Sequence, residues 1–315
     1  MNRKQLLEKA FQRGRILTLK NPVYKSWIEK FIVDETKGDI GKKGDITSNA
    51  VINNGNKTRA IVISREKGII AGLEEAVYLY KKNDIKAKKI KNDGDLIKKG
   101  DIILKLEGTE KNLLKIERSA LDLLQRMSGI ATLTHSVISS IKNSVPIATT
   151  RKTQWRYLDK KAVYIGGGMT HRLALWEAIL IKDNHIKALE REGIKEPVKI
   201  SLERAFKSRK KANFIEIEVS SLRRALIAAM KIEELHKKDK STIFLIMLDN
   251  MKPKRVQLAV NKLKKLNLYN SLLIEASGGI VPKNIKSYAK AGIDVISMGC
   301  LTHSAKALDI KEYIL

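Results

Sequence analysis

The chain has 315 residues, 43% hydrophobic and 30% charged, with 62 Lys+Arg against 34 Asp+Glu and a formal charge of +28. That length suits a barrel with a smaller appended domain, so two units are expected, and the composition excludes a disordered chain. There is no apolar run of roughly 18 residues, the start MNRKQLLEKAFQRGR has no secretory h-region, and the single cysteine, Cys300, excludes a disulfide framework or multi-cysteine zinc site, so a cytoplasmic, membrane-free protein with a buried, inert thiol is expected.

In the amino-terminal part, GDITSNAVI, TRAIVISREKGIIAG and DIILKLEG read as short alternating strands bounded by Gly, Asn and Asp, which predicts an α+β domain over residues 1–114. The lysine-rich stretch KKNDIKAKKIKNDGDLIKKG, like KSRKK at 207–211, carries no interleaved aromatics for base stacking. These stretches read as solvated faces, and a local cluster is enough to raise encounter rates with an acidic substrate. A rival reading, a basic nucleic-acid or membrane-surface module, predicts strongly salt-dependent affinity, but it leaves the acids on buried strands and the paired glycines without a role. No specific nucleic-acid partner is expected.

A long helix is predicted to begin after Gly108, within EGTEKNLLKIERSALDLLQRMSGIATL, and to mark the junction with a second domain over 115–302. From about residue 145 onward, VPIATT, FIEIEV, TIFLIML, LLIEA and DVISM read as short strands apolar on both faces. Amphipathic helices lie between them: SLRRALIAAMKIEELHKK, KPKRVQLAVNKLKKL, and NIKSYAKAG ending at Gly292. This is βα repetition with a parallel sheet, and either an α/β barrel or an open doubly wound sheet satisfies it.

Cationic residues gather at the predicted strand ends: Arg151 and Lys152 after VPIATT, His171 and Arg172 after IGGGMT, and Lys182 after AILI. Barrels place active sites at such ends, and a dicarboxylate with a pyrophosphate-bearing co-substrate needs Arg for bidentate contacts and Lys as a compact charge. Glu216 and Glu218 alternate along FIEIEV and so share one face, while Asp249 ends IFLIMLDN, where a ribose-binding or magnesium-binding carboxylate belongs. For Glu216 a structural ion pair is an equal alternative. Ser277, Gly278 and Gly279 after LLIEA, and Gly299 after DVISM ahead of a helix beginning near Thr302, read as paired phosphate loops. Gly166, Gly167 and Gly168 share the simpler reading of tight turns.

ERSALDLLQRMSGIATLT, TTRK, GGGMTHRLAL, AILIKDNHI, EIEVSSL, IMLDNM, EASGGI and DVISMGCLTHSA, taken in order, resemble the quinolinate phosphoribosyltransferases over nearly the whole chain. The resemblance implies an incomplete seven-stranded α/β barrel packed with an α+β N-terminal domain, the C-terminal segment of about 303–315 packing on the latter. It also implies a homodimer or higher oligomer with shared sites, in which Arg118 reaches into the neighbouring subunit's site. Arg151, Lys152, His171, Arg172 and Lys182 would hold quinolinate and pyrophosphate oxygens. Glu218 and Asp249 would bind the ribose hydroxyls and the Mg²⁺ of phosphoribosyl pyrophosphate (PRPP), with Ser277, Gly278, Gly279, Gly299 and His303 around the 5-phosphate; Lys152, Glu218 and Asp249 would be catalytic. The implied reaction joins quinolinate to PRPP with decarboxylation, giving nicotinate mononucleotide, pyrophosphate and CO₂. One departure stands out: after TTRKT the family continues with Thr-Pro-Gly, whereas this chain has Gln154, Trp155 and Arg156. That change leaves open a relative using nicotinate or the acceptor of the molybdenum-associated homologues.

Overall fold

The computed structural model describes residues 2–53 and 55–315. It divides into two units: residues up to Arg13, Ser136–Arg156 and Gly168–His303 form one, and Gly14–His135, Tyr157–Gly167 and Ser304–Leu315 the other. The sequence reading divided the chain after residue 114 and returned the segment from about 303 to the first domain; here the amino-terminal residues and 157–167 interleave as well. The reason lies in the first helix, Arg3–Phe11, whose apolar stripe of Leu7, Ala10 and Phe11 is buried among barrel residues Ala148, Phe214, Leu245, Leu273 and Val295. Asn2 caps it in a capping box with Gln5, and Arg3 clasps Asp294 while donating to the Tyr269 carbonyl at 2.6 Å.

In this first unit six parallel strands are ordered Ile147–Thr149, Val295–Met298, Leu273–Ser277, Phe244–Asp249, Ile215–Val219, Ile179–Ile181. Beyond Ile147–Thr149 the backbone at Met169 bridges in parallel to Ala148, with Met169 N–H donating to the Ile147 carbonyl and Thr149 N–H to that of Met169. Met169 therefore supplies the seventh position as a bridge and not a full strand. Among the described residues no ladder joins it to Ile179–Ile181, and the barrel is open there. The end of the first helix ties down one side of this seam, because the Phe11 carbonyl accepts from both the N–H and the hydroxyl of Thr170.

Register then fixes what the interior contains. Glu216 pairs with Leu245 and Glu218 with Met247, while Glu275 pairs with Met247 and Ser277 with Asp249. With two-residue alternation, each strand carries an inward series that runs from an apolar floor (Leu245, Leu273) to a polar mouth (Asp249, Ser277). Helices Leu222–Lys238 and Pro253–Lys265 cover the outside with Ala225, Ala228, Ile232, Val256 and Leu263 buried. The phosphate-loop glycines precede only short helices, Ile285–Ala289 and Cys300–His303. The second of these starts at Cys300 where the sequence suggested Thr302, because Thr302 and His303 N–H both return to the Gly299 carbonyl.

The second unit has an antiparallel sheet ordered Ile310–Ile314, Lys57–Ser64, Ile102–Thr109, Lys86–Lys89. The C-terminal segment thus pairs with Lys57–Ser64, and the lysine-rich stretch forms an edge strand whose charges discourage pairing with another chain. GDITSNAVI, expected as a strand, is instead the helix Ile46–Val51. Asp45 accepts the Ser48 N–H at 3.0 Å, and this N-cap turns the segment helical before any strand partner is found. The long helix Glu110–Ser140 follows Gly108 as expected. Buried charges in this unit are paired: Arg126 donates twice to Asp159, at 2.8 and 2.7 Å, and Lys161 bridges Glu74 and Glu75. Gly166 lies where a Cβ would meet the Ala131 carbonyl at 2.5 Å, so it serves helix packing and not a phosphate.

Candidate active site

A cavity of about 580 Å³ opens at the carboxyl ends of the parallel strands, within the usual size for a small-molecule site. Arg151, Lys152, His171, Arg172 and Lys182 all line it, as do Glu218, Asp249, Ser277, Gly278, Gly279, Gly299 and His303. The sequence-predicted positions come together because they lie at or just beyond the carboxyl ends of the strands of one parallel sheet, or, for His171 and Arg172, just beyond the Met169 bridge. Two do not line the cavity. Arg118 belongs to the second unit, exposed on Glu110–Ser140 and paired with Asp122 at 3.3 Å. Glu216 lies deeper in the barrel, fully buried, with Oε2 3.1 Å from the His171 Nε2. Cys300 faces the cavity and is half-buried, not the fully buried thiol expected; burial pushes its pKa upward, which keeps it a thiol.

The cations differ in setting. Lys152 is exposed, its carbonyl held at 2.7 Å by the Thr302 hydroxyl. Arg172 is 5% exposed, its Nη1 donates to the Ala178 carbonyl at 2.9 Å, and its Nε makes no hydrogen bond among the described residues. Burial, and then the neighbouring charge of Arg151, lowers its pKa, while Glu216 opposes. A buried guanidinium with an open donor next to a second arginine is a receptor for a carboxylate.

Glu218 and Asp249 have the opposite character. Burial, and then the charge of Asp249, raises the Glu218 pKa, and burial raises that of Asp249 despite the hydrogen bond from Asn250 and the charge of Lys152. Two half-buried carboxylates that repel one another at the rim of a cavity are suited to share a cation or ribose hydroxyls. Gly278 is left-handed, φ +84°, and lies so close to Asn250 that a Cβ would meet its Oδ1 at 2.5 Å. Asn250 is itself left-handed at φ +54° and donates its N–H to the Ser277 carbonyl at 2.9 Å. Sequence reasoning passed over Asn250, which only the pairing of loops reveals. It also passed over Glu275, although a lone acid in the apolar run LLIEA was a signal of the kind used for Glu216.

At the inner end, Glu216 and Glu275 meet His171. Burial, and then the charge of Glu275, pushes the Glu216 pKa up to about 8. Burial works against charge on His171, and the two glutamates outweigh it to hold the imidazole at about 9. Because Nδ1 already accepts the Arg172 N–H at 2.6 Å, the proton that faces the two glutamates is the one on Nε2.

The profile of the quinolinate phosphoribosyl transferase C-terminal domain matches residues 130–312, and that of the N-terminal domain residues 45–128. The chain belongs to the quinolinate phosphoribosyltransferase family. It is 38% identical over 293 residues, 91% of this chain and 96% of the relative, to a probable nicotinate-nucleotide pyrophosphorylase (carboxylating) of Methanocaldococcus jannaschii. It is 36% identical over 284 residues, 86% of this chain and 88% of the relative, to the Bacillus subtilis protein of the same name. Among solved structures, NadC of Streptococcus pyogenes matches with a TM-score of 0.78 at 30% identity, covering 92% of this chain and 98% of that one. The nicotinate-nucleotide pyrophosphorylase of Francisella tularensis matches at 0.77 and 28%, covering 92% and 96%. The fold expected from the family resemblance is thus the fold found. No helix among the described residues is long and apolar enough to cross a membrane.

Proposed function

We propose that the cavity joins quinolinate to the phosphoribosyl group of PRPP, giving nicotinate mononucleotide, pyrophosphate and CO₂ in NAD biosynthesis. The observation that carries this reading is the gathering in one cavity of Arg151, Lys152, Arg172 and Lys182 with Glu218, Asp249 and the Ser277–Gly279 and Gly299 turns. A dianionic acceptor and a polyanionic co-substrate both need such cations, and the ribose between them needs the acids.

The pyridine nitrogen attacks the anomeric carbon as its bond to pyrophosphate breaks. Glu218 and Asp249 stabilise the positive charge that builds on the ribose, and Lys152 and Lys182 neutralise the departing oxygens. Glu218 and Asp249 also fit Mg²⁺ carried in with PRPP, and the ion would supply Lewis-acid neutralisation of the pyrophosphate. Alkylation makes the ring nitrogen cationic, so the electrons released when the 2-carboxylate leaves as CO₂ are held beside it until a proton replaces them. The side chains supply position and field, and no covalent enzyme intermediate is required. Lys152, Glu218 and Asp249 are the catalytic residues in this scheme; Arg151 and Arg172 hold the acceptor, Lys182 the pyrophosphate, and Ser277, Gly278, Gly279, Gly299 and His303 the 5-phosphate.

We place the enzyme in the cytoplasm as a homodimer, with Arg118 completing the partner's site; its exposure on Glu110–Ser140 supports this. The changed residues Gln154, Trp155 and Arg156, with Arg156 left-handed at φ +40°, favour testing a second acceptor. Pyrophosphate release with PRPP and quinolinate, but not with nicotinate, supports the assignment; release with nicotinate alone moves the acceptor and leaves the phosphoribosyl chemistry standing.

A further inference from the structure

His171 is built into the inner wall of the cavity in a way that occupies both of its nitrogens. It follows the Met169 bridge in the left-handed region, φ +53°, and its Nδ1 accepts the N–H of Arg172 at 2.6 Å. Its Nε2 lies 3.1 Å from Glu216 Oε2 and 3.4 Å from Glu275 Oε2. The ring packs on Phe11 with centroids 4.2 Å apart and meets Phe214 edge-on at 5.5 Å. Both acids are fully buried, on strands separated by Phe244–Asp249. None of the four oxygens of Glu216 and Glu275 makes a fully aligned hydrogen bond among the described residues, and the two Oε2 atoms are the ones that approach Nε2.

Two buried acids beneath an anion-binding pocket do not attract a dianion, so another role must explain them. An imidazole that accepts at Nδ1 has its proton on Nε2, and that proton needs an acceptor when it is buried. Without one, rotation of the ring about its long axis exchanges Nδ1 for a carbon and releases the Arg172 N–H. That N–H secures the turn from which the Arg172 side chain enters the cavity.

We propose that Glu216 and Glu275 are positioning residues for dicarboxylate binding: they orient His171 through Nε2, and His171 in turn holds the peptide that places Arg172. This rests on the quinolinate assignment for the identity of the dicarboxylate, but the histidine geometry does not depend on it. Glu275 acts from a strand remote in sequence, so the acceptor end of the site is set by three elements and the Phe11 ring beneath them.

The test uses the full chain as wild type, Glu275→Gln and Glu275→Leu. In Glu275→Leu the KM for quinolinate rises at least about tenfold while that for PRPP stays within about twofold, because only the Arg172 end is disturbed. Glu275→Gln keeps an oxygen facing Nε2 and remains close to wild type. Equal changes in both KM values, or Gln no better than Leu, overturn the proposal, since either outcome describes simple packing. Nitrogen-15 spectra of labelled histidine in the substrate-free wild-type protein, with His171 assigned through His171→Asn, decide the matter even if the leucine variant does not fold. A proton on Nε2 alone is expected, and a proton on Nδ1 refutes it. A stoichiometric transition metal in the purified protein also refutes it, because metal and proton cannot share that lone pair. Failure of the wild type to turn over quinolinate, with the Nε2 tautomer present, counts against the acceptor assignment and leaves the positioning geometry intact.

Discussion

Asn250 sits directly over Gly278, so close that a Cβ on the glycine would lie 2.5 Å from its Oδ1 and 2.6 Å from its backbone nitrogen. The loop carrying Asp249 and the loop proposed to hold the 5-phosphate are therefore fitted to one another. Gly278→Ala adds that clash to a left-handed φ of +84°, which strains the backbone by ~1–3 kcal/mol. Thermal unfolding is expected to fall modestly and kcat/KM for PRPP to fall by about two orders of magnitude, because both loops must move. Near-normal kinetics in Gly278→Ala would show that the loops do not need this fit.

Glu218 and Asp249 repel one another in the free protein. Asp249→Asn removes that repulsion, so the variant should unfold at a temperature no lower than wild type while turnover drops about a hundredfold. Titration of Mg²⁺ should no longer restore full rate. A variant that loses stability and activity together would place Asp249 among structural residues.

Lys152 and Arg172 both line the cavity, but Lys152 is exposed and Arg172 is buried. Lys152→Ala should therefore cripple turnover with an unchanged unfolding temperature. Arg172→Ala should reduce both, since the Ala178 carbonyl loses its donor and the hole left is buried, at ~1–3 kcal/mol. Parallel melts and steady-state rates separate the two cases.

The trans role of Arg118 is tested by mixing. Arg118→Ala and Lys152→Ala are each expected to be inactive. After subunit exchange about half the dimers are mixed and one of their two sites is intact, so roughly a quarter of wild-type activity should return. No recovery after exchange has been confirmed would place Arg118 outside the partner's site.

In the second unit, burial holds the Glu312 carboxyl up to about 7, with the charge of Glu117 adding to it and the Tyr80 hydroxyl, donating at 2.7 Å, working against it. The folded state therefore binds this proton more tightly than the unfolded chain, whose value is near 4.5. Its contribution to stability is complete below pH 4.5 and is lost as pH rises toward 7, by up to about 3 kcal/mol. Glu312→Gln should match wild type in acid and melt higher above neutral pH. A constant difference across the range would contradict the shift.

The barrel strands were legible because burial on both faces leaves a plain mark, as in TIFLIML and DVISM. The site was legible because its cations and glycines cluster just beyond such strands, with His171 and Arg172 beyond the Met169 bridge. GDITSNAVI misled because a capped turn and a short strand share the same small polar residues, and only the Asp45 to Ser48 bond decides between them. The placement of Arg3–Phe11 in the barrel floor was hidden, since an amphipathic helix does not name the surface it covers. The pairing of Glu275 with His171 was hidden for a related reason: the two lie on segments far apart in sequence, and nothing local foretells that meeting.

The central claim is tested most directly by supplying PRPP, Mg²⁺ and quinolinate carrying a carbon label on its 2-carboxylate, then counting labelled CO₂ against nicotinate mononucleotide. The account predicts one CO₂ for each nucleotide formed, with no nucleotide from nicotinate under the same conditions. Nucleotide formed from nicotinate, with none from quinolinate and no label released, would contradict it.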